Sequence, residues 1–160
     1  MKLKKKQIIS AALITVSFLF SWLFIVQRKE VRLSPCSAYM VIYKNNEHFN
    51  ALIEFILFKK DGTGVLTISG TRFTDENRTG VVRRAIEYSW DNEDGTYVFT
   101  SRAIRKSSRD ETLPDSTLRS FLPSFFSEVN GSLNLSVTPQ GDAGYLFSSG
   151  VRPLFFCEKL

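Results

Sequence analysis

One histidine, two cysteines and scattered arginines and carboxylates are what this 160-residue chain offers for building a reactive site. His48 is the single histidine, so no HExxH zinc helix and no pair of imidazole ligands can be written. It stands beside the start of an alternating segment and reads as a surface residue rather than a catalytic base. No Gly-x-Ser-x-Gly nucleophile elbow occurs. Cys36 and Cys157 have no second Cys or His at ligand spacing, and a zinc site takes three or four ligands. A redox Cys-x-x-Cys fails on spacing as well. Asp61-Gly62-Thr63-Gly64 lacks a following Gly-Lys-Ser or Gly-Lys-Thr and a helix, so it reads as a hairpin turn and not a phosphate loop. Asp91, Glu93 and Asp94 share a turn, where acidic residues are expected for conformational reasons. Asn77-Arg78-Thr79, Asn130-Gly131-Ser132 and Asn134-Leu135-Ser136 match the N-glycosylation pattern, which matters only in a eukaryotic secretory route. No catalytic, cofactor-binding or metal-ligating set emerges, so a non-enzyme without a cofactor is expected. An envelope enzyme made from dispersed Asp, Glu and Arg is the rival class, because glycosidase-like carboxylate pairs leave no sequence signature.

The arginines supply one constellation. Arg83 and Arg84 point to opposite faces of one alternating segment. If the face of Ile86, Tyr88 and Trp90 is the inner one, Arg84 goes inward with it, and a buried arginine needs a carboxylate partner or an anionic ligand. Arg102, Arg105, Lys106 and Arg109 crowd the end of the next segment and could steer an anion or a phospholipid headgroup. Asp110 and Glu111 beside them allow the plainer reading of a charge-balanced, solvated strand end. Arg84, Arg102 and Arg105 are the candidate anion or ligand contacts.

Charge excludes one class of partner. The formal net charge is +5, but Lys2, Lys4, Lys5 and Lys6 occupy the first six residues. From Gln27 onward 17 basic residues face 16 acidic ones, a net of +1. The folded part is nearly neutral, which removes the composition argument for nucleic acid.

Residues 8–26, from Ile8 to Val26, carry no charge, Pro or Gly. At about 1.5 Å per residue they span roughly 28 Å, close to the hydrocarbon thickness of a bilayer. A cleaved signal peptide is the competing reading, but its apolar core is usually about 7–15 residues and ends at a small-x-small site. Here the run exits through Phe24-Ile25-Val26-Gln27-Arg28, so an uncleaved signal anchor is expected. Leu33-Ser34-Pro35-Cys36 resembles a lipobox only faintly, with Pro before the Cys. Four lysines on a short tail favour that tail remaining in the cytoplasm and the rest being exported. The expected organisation is a basic cytoplasmic tail (1–7), a transmembrane anchor (8–26), a juxtamembrane linker (27–35) and a periplasmic β domain (36–160). Ser10, Ser17 and Ser21 share a helical face that could pack against another span; alternatively, each serine simply bonds its own backbone.

In an exported domain, two cysteines default to a structural disulfide, with two free thiols as the alternative. Closing a loop of about 121 residues would stabilise by roughly 5 kcal/mol on the chain-entropy argument. From Ser37 on, apolar residues recur with a period of two. The first segment, Ala38 to Tyr43, is apolar on both faces and reads as a well-covered strand. A second runs from His48 to Phe58, and Val65 to Ile68 follows the Asp61 turn. A polar loop is expected from Gly70 to Gly80. Val82 to Trp90 and Tyr97 to Arg105 pair across the turn at Asp91–Gly95. One helix is expected over Ser116–Leu122, with Asp115 as N-cap and Pro123 as stop. Ser132–Thr138, with Leu133, Leu135 and Val137 inward, then Tyr145–Ser148 and Pro153–Cys157, complete seven or eight strands. The fold class is mainly β: a small antiparallel sheet, curled or closed into a barrel to remove its edges, with a sandwich as the second choice. Fourteen Phe suggest a core filled by rings.

The Lys-rich tail with a single span, Cys36, Asp61-Gly62-Thr63-Gly64 with Ile68-Ser69-Gly70, and the run from Val82 to Tyr88 form a layout. With Gly144-Tyr145-Leu146-Phe147 and the closing Pro153-Leu154-Phe155-Phe156-Cys157, it resembles the FidL-like membrane proteins of enteric bacteria. That resemblance implies an inner-membrane protein with a lipocalin-like periplasmic barrel. By analogy with ToxS-like and VtrC-like companions, it implies partnership with a membrane-tethered ToxR-like transcription regulator. An interaction or sensory module is therefore the expected function, with a small apolar or anionic ligand as a variant. A structural subunit of an envelope assembly is the alternative. The topology is directly measurable: alkaline phosphatase fused after Arg32 should be active and β-galactosidase fused there inactive, and the reverse pattern would overturn the orientation.

Overall fold

Alternation at a period of two puts every second side chain on one face, so the long segments after Cys36 become strands with one buried edge of residues. The computed structural model describes residues 33–160 except positions 59, 60, 94 and 108. Within them lie β1 (Cys36–Lys44), β2 (Glu47–Phe58), β3 (Thr63–Thr74), β4 (Asn77–Glu93), β5 (Thr96–Lys106), β6 (Ser132–Gln140), β7 (Gly144–Ser149) and β8 (Arg152–Lys159). Each strand pairs antiparallel with the next, and β8 returns to β1, giving a closed eight-stranded barrel. Register shifts at Phe55/Leu57, Arg72/Phe73, Glu87/Tyr88 and Phe147/Ser148 bend the strands as closure requires. The predicted span at residues 8–26, with Ser10, Ser17 and Ser21, lies outside the described residues. No helix within them is long and apolar enough to cross a membrane.

Aromatic rings fill the lumen. Phe55 stacks on Phe147 with centroids 5.2 Å apart and meets Phe99 at 6.0 Å and Tyr88 at 6.4 Å. These rings come from β2, β4, β5 and β7, so they bridge the barrel from wall to wall. Phe49, Ile53, Leu66, Ile68, Ile86 and Phe147 are all 1% exposed or less, and each such side chain contributes about 1.5–3 kcal/mol through burial. Gly70 makes room for this packing: a Cβ there would lie 2.4 Å from Cζ of Phe49.

Two local expectations are corrected. The polar stretch from Gly70 to Gly80 is not a loop; β3 runs on to Thr74, and β4 begins at Asn77. The turn is made by Asp75 and Glu76, with φ of 48° and 64°. A two-residue turn with both φ positive usually carries Asn or Gly, and two acidic residues conceal it. The expected helix is also shorter. The helix α1 spans Asp115–Leu118, and its N-cap is Pro114 rather than Asp115. After Pro123 the chain makes a 3₁₀ turn, Ser124–Phe126.

Cys36 and Cys157 form a disulfide with Cα atoms 5.4 Å apart, joining β1 to β8. The same seam has only two backbone residue pairs, Cys36 with Lys159 and Ser37 with Glu158. The covalent bond therefore carries much of the closure. Both sulfurs should resist thiol reagents until the protein is unfolded and reduced. Cys157→Ser should lower the unfolding free energy by about 2–5 kcal/mol in denaturant melts; a variant as stable as the parent would show the seam to be held by packing alone.

Candidate functional site

Arg84 lies on the inward face of β4 with Val82, Ile86 and Tyr88, and its side chain has no exposed surface. Among rings, a guanidinium is tolerable only if its donors are met. Nε donates to Oε2 of Glu111 at 3.2 Å, and Nη2 donates to Oε1 of the same carboxylate. Nη2 also donates to Oδ1 of Asp115 at 2.9 Å, and Nη1 to the carbonyl of Phe126 at 2.8 Å. Lys106 Nζ donates to the other oxygen of Asp115 at 2.5 Å. Burial alone would raise the Asp115 carboxyl, but hydrogen bonds from Lys106 and Arg84 outweigh it and hold the group below its ordinary value. In Tyr88, the next inward residue but one, burial pushes the phenol far up.

The carboxylates come from the 107–131 connection, which is sewn to the edge of β4. Ser107 N–H donates to Arg83 O at 2.9 Å, and Thr112 and Leu113 N–H donate to Val81 O at 2.9 and 3.0 Å. Leu113, Leu118, Leu122, Phe125 and Phe126 are buried from the same connection. It covers one end of the barrel.

The three candidate ligand arginines do not converge. Arg84 is turned inward onto its own chain's carboxylates, which replaces the anionic ligand considered for it. Arg102 is exposed and donates from Nε to Ser89 Oγ at 2.8 Å. Arg105, also exposed, donates to Glu87 at 2.6 Å. His48 is half-buried, its ring stacked on Phe73 at 4.8 Å. No group of three or more His, Cys, Asp or Glu among the described residues could hold a metal ion.

Sequence reasoning missed the outer face of β1. Tyr39, Val41 and Tyr43 are 64%, 38% and 77% exposed, not covered. Beside them stand Leu52 and Ile56 of β2 and Leu154 and Phe156 of β8, all exposed. Apolar residues on both faces of β1 were the available signal; nothing local says whether such a strand is covered.

A closed antiparallel barrel, tied by one disulfide and carrying an apolar outer face, defines a small β-barrel domain whose exterior is its distinctive surface. Residues 33–157 match the YqeJ C-terminal domain family, and the chain belongs to it. It is 26% identical over 156 residues, 98% of each chain, to the uncharacterized protein YqeJ of Escherichia coli (strain K12). These matches do not extend to the FidL-like proteins whose layout the sequence resembles.

Glu111→Gln should cost roughly 3–5 kcal/mol of stability, because it removes the more deeply buried of the two carboxylates that pair with Arg84 and leaves the guanidinium with Asp115 alone. The stabilisation from Asp115 is complete above its ordinary value of 3.8 and is lost as pH falls through the lower folded value. Melts of Asp115→Asn should accordingly show a shallower decline below about pH 4 than the parent. Identical acid limbs would remove Asp115 from the network.

Proposed function

We propose that this chain is a single-pass inner-membrane protein whose exported barrel binds the periplasmic part of a membrane-tethered, ToxR-like transcription regulator. The exposed apolar face of β8, β1 and β2 carries this reading. Tyr39 lies opposite Leu52 in the register of β1 and β2, so the two side chains form one outward apolar pair. Among the described residues, β1 pairs with β8 only at Cys36 and Ser37, which leaves the backbone from Ala38 to Lys44 without a ladder partner on that side. An extended partner segment meets both features at once: its backbone bonds the edge and its side chains pack on the tyrosines. The ring-filled lumen directs recognition to this exterior and away from an interior apolar ligand. Confinement of both proteins to one membrane raises their effective concentration, so a modest contact suffices. The regulator itself is suggested by the layout resemblance, and the face supports only the class of contact.

Tyr39→Ser with Tyr43→Ser should leave the melting midpoint nearly unchanged, since both rings are exposed, and reduce co-purification of the regulator from membranes about tenfold or more. If deletion of residues 33–160 alters no candidate regulator's level or target expression under envelope stress, the structural-subunit reading takes its place.

A further inference from the structure

A second exterior feature lies away from that face, between the start of β4 and the 107–113 segment. It is a solvent-open cleft of about 520 Å³ whose walls include Arg78, Arg83, Arg109, Asp110, Thr79 and Thr112. Arg83 donates to Asp110 at 3.1 Å. Arg78 and Arg109 make no ion pair among the described residues. Three guanidiniums against one carboxylate leave two positive charges uncompensated. Glu111, which could have neutralised them, is turned inward onto Arg84.

The walls are fixed relative to one another. Five hydrogen bonds lace residues 107–113 to the backbone of β4. Three are the backbone bonds to Val81 and Arg83 described above. The others run from Val81 N–H to Thr112 Oγ1 at 3.0 Å and from Arg83 N–H to Glu111 Oε2 at 3.2 Å. Thr112 Oγ1 accepts from Val81 N–H, and its hydroxyl keeps one hydrogen to donate. A Cβ on Gly80 would meet Leu113 at 2.5 Å, so the two segments touch closely behind the arginines.

We infer that this cleft binds an oxyanion of phosphate type, held by the planar forks of Arg78 and Arg109 with Arg83 and the Thr112 hydroxyl. Guanidinium pairs bidentately with phosphate oxygens, and the volume lies within the range of small-molecule sites. The group is either free in solution or carried on a lipid headgroup.

The full-length protein, purified in neutral detergent, should show a saturable rise in melting midpoint when inorganic phosphate replaces chloride at constant ionic strength. Arg78→Gln with Arg109→Gln should weaken the apparent affinity about tenfold or more, as expected for lost charge-assisted bonds. Arg105→Gln, outside the cleft, should leave it unchanged. In nanodiscs, protection by phosphatidylglycerol over phosphatidylcholine, abolished by the double variant and without any phosphate effect, would assign the site to a headgroup and still support it. If the double variant fails to fold, Arg78→Gln alone decides, with at least about a threefold loss expected. No saturable response in either arm, or a response that survives these variants, overturns the proposal.

Discussion

The buried pair of Arg84 and Glu111 is the constraint around which the rest of the domain is arranged. Taking a guanidinium out of water costs several kcal/mol unless carboxylates and a carbonyl replace its hydration. Those groups lie 27 or more residues further on, so the connection after β5 has one place to go. It crosses the barrel end, follows the edge of β4, and buries its own leucines and phenylalanines there. The same crossing explains why β5 pairs with β6 only from Thr96 to Thr100. Beyond that point Ser101 turns to the crossing: its N–H donates to Gly131 O at 3.0 Å and its hydroxyl to Glu128 O at 2.5 Å.

The barrel thus closes by two different means. At β5 and β6, a short ladder is supplemented by the crossing segment. At β8 and β1, two backbone pairs are supplemented by a disulfide. A covalent bond fixes the seam at one end and places no demand on the backbone further along, so the strands can diverge after Ser37. That freedom leaves Met40 and Ile42, on the inward side of β1, only half-buried. Stability at this seam and accessibility at this edge have one cause.

Local features of the chain were readable where neighbours in sequence determine them. The period of two, the Asp61–Gly64 turn and the pairing of the only two cysteines all belong to this class. So does the inward direction of Arg84, which follows from strand parity with Ile86 and Tyr88. The failures share the opposite character. Asp75 and Glu76 turn the chain without the usual residues because two long strands zip on either side of them. Asp115 does not cap its helix because its carboxylate is drawn to Arg84 and Lys106. Whether Tyr39 and Tyr43 are covered, and which carboxylate meets Arg84, depends on residues far away in sequence.

Filling the lumen with rings separates stability from recognition. Phe55 touches rings from three other strands, so an interior ligand would have to displace contacts that hold the barrel together. The outer face of β1 and the arginine cleft have no such obligation. Tyr39, Tyr43, Arg78 and Arg109 are exposed, and changing them removes little that the core requires. A domain built this way gains from the division, because its outward residues can change independently of the fold. In this barrel the inward positions of the strands answer to packing, and the outward ones to whatever the domain meets.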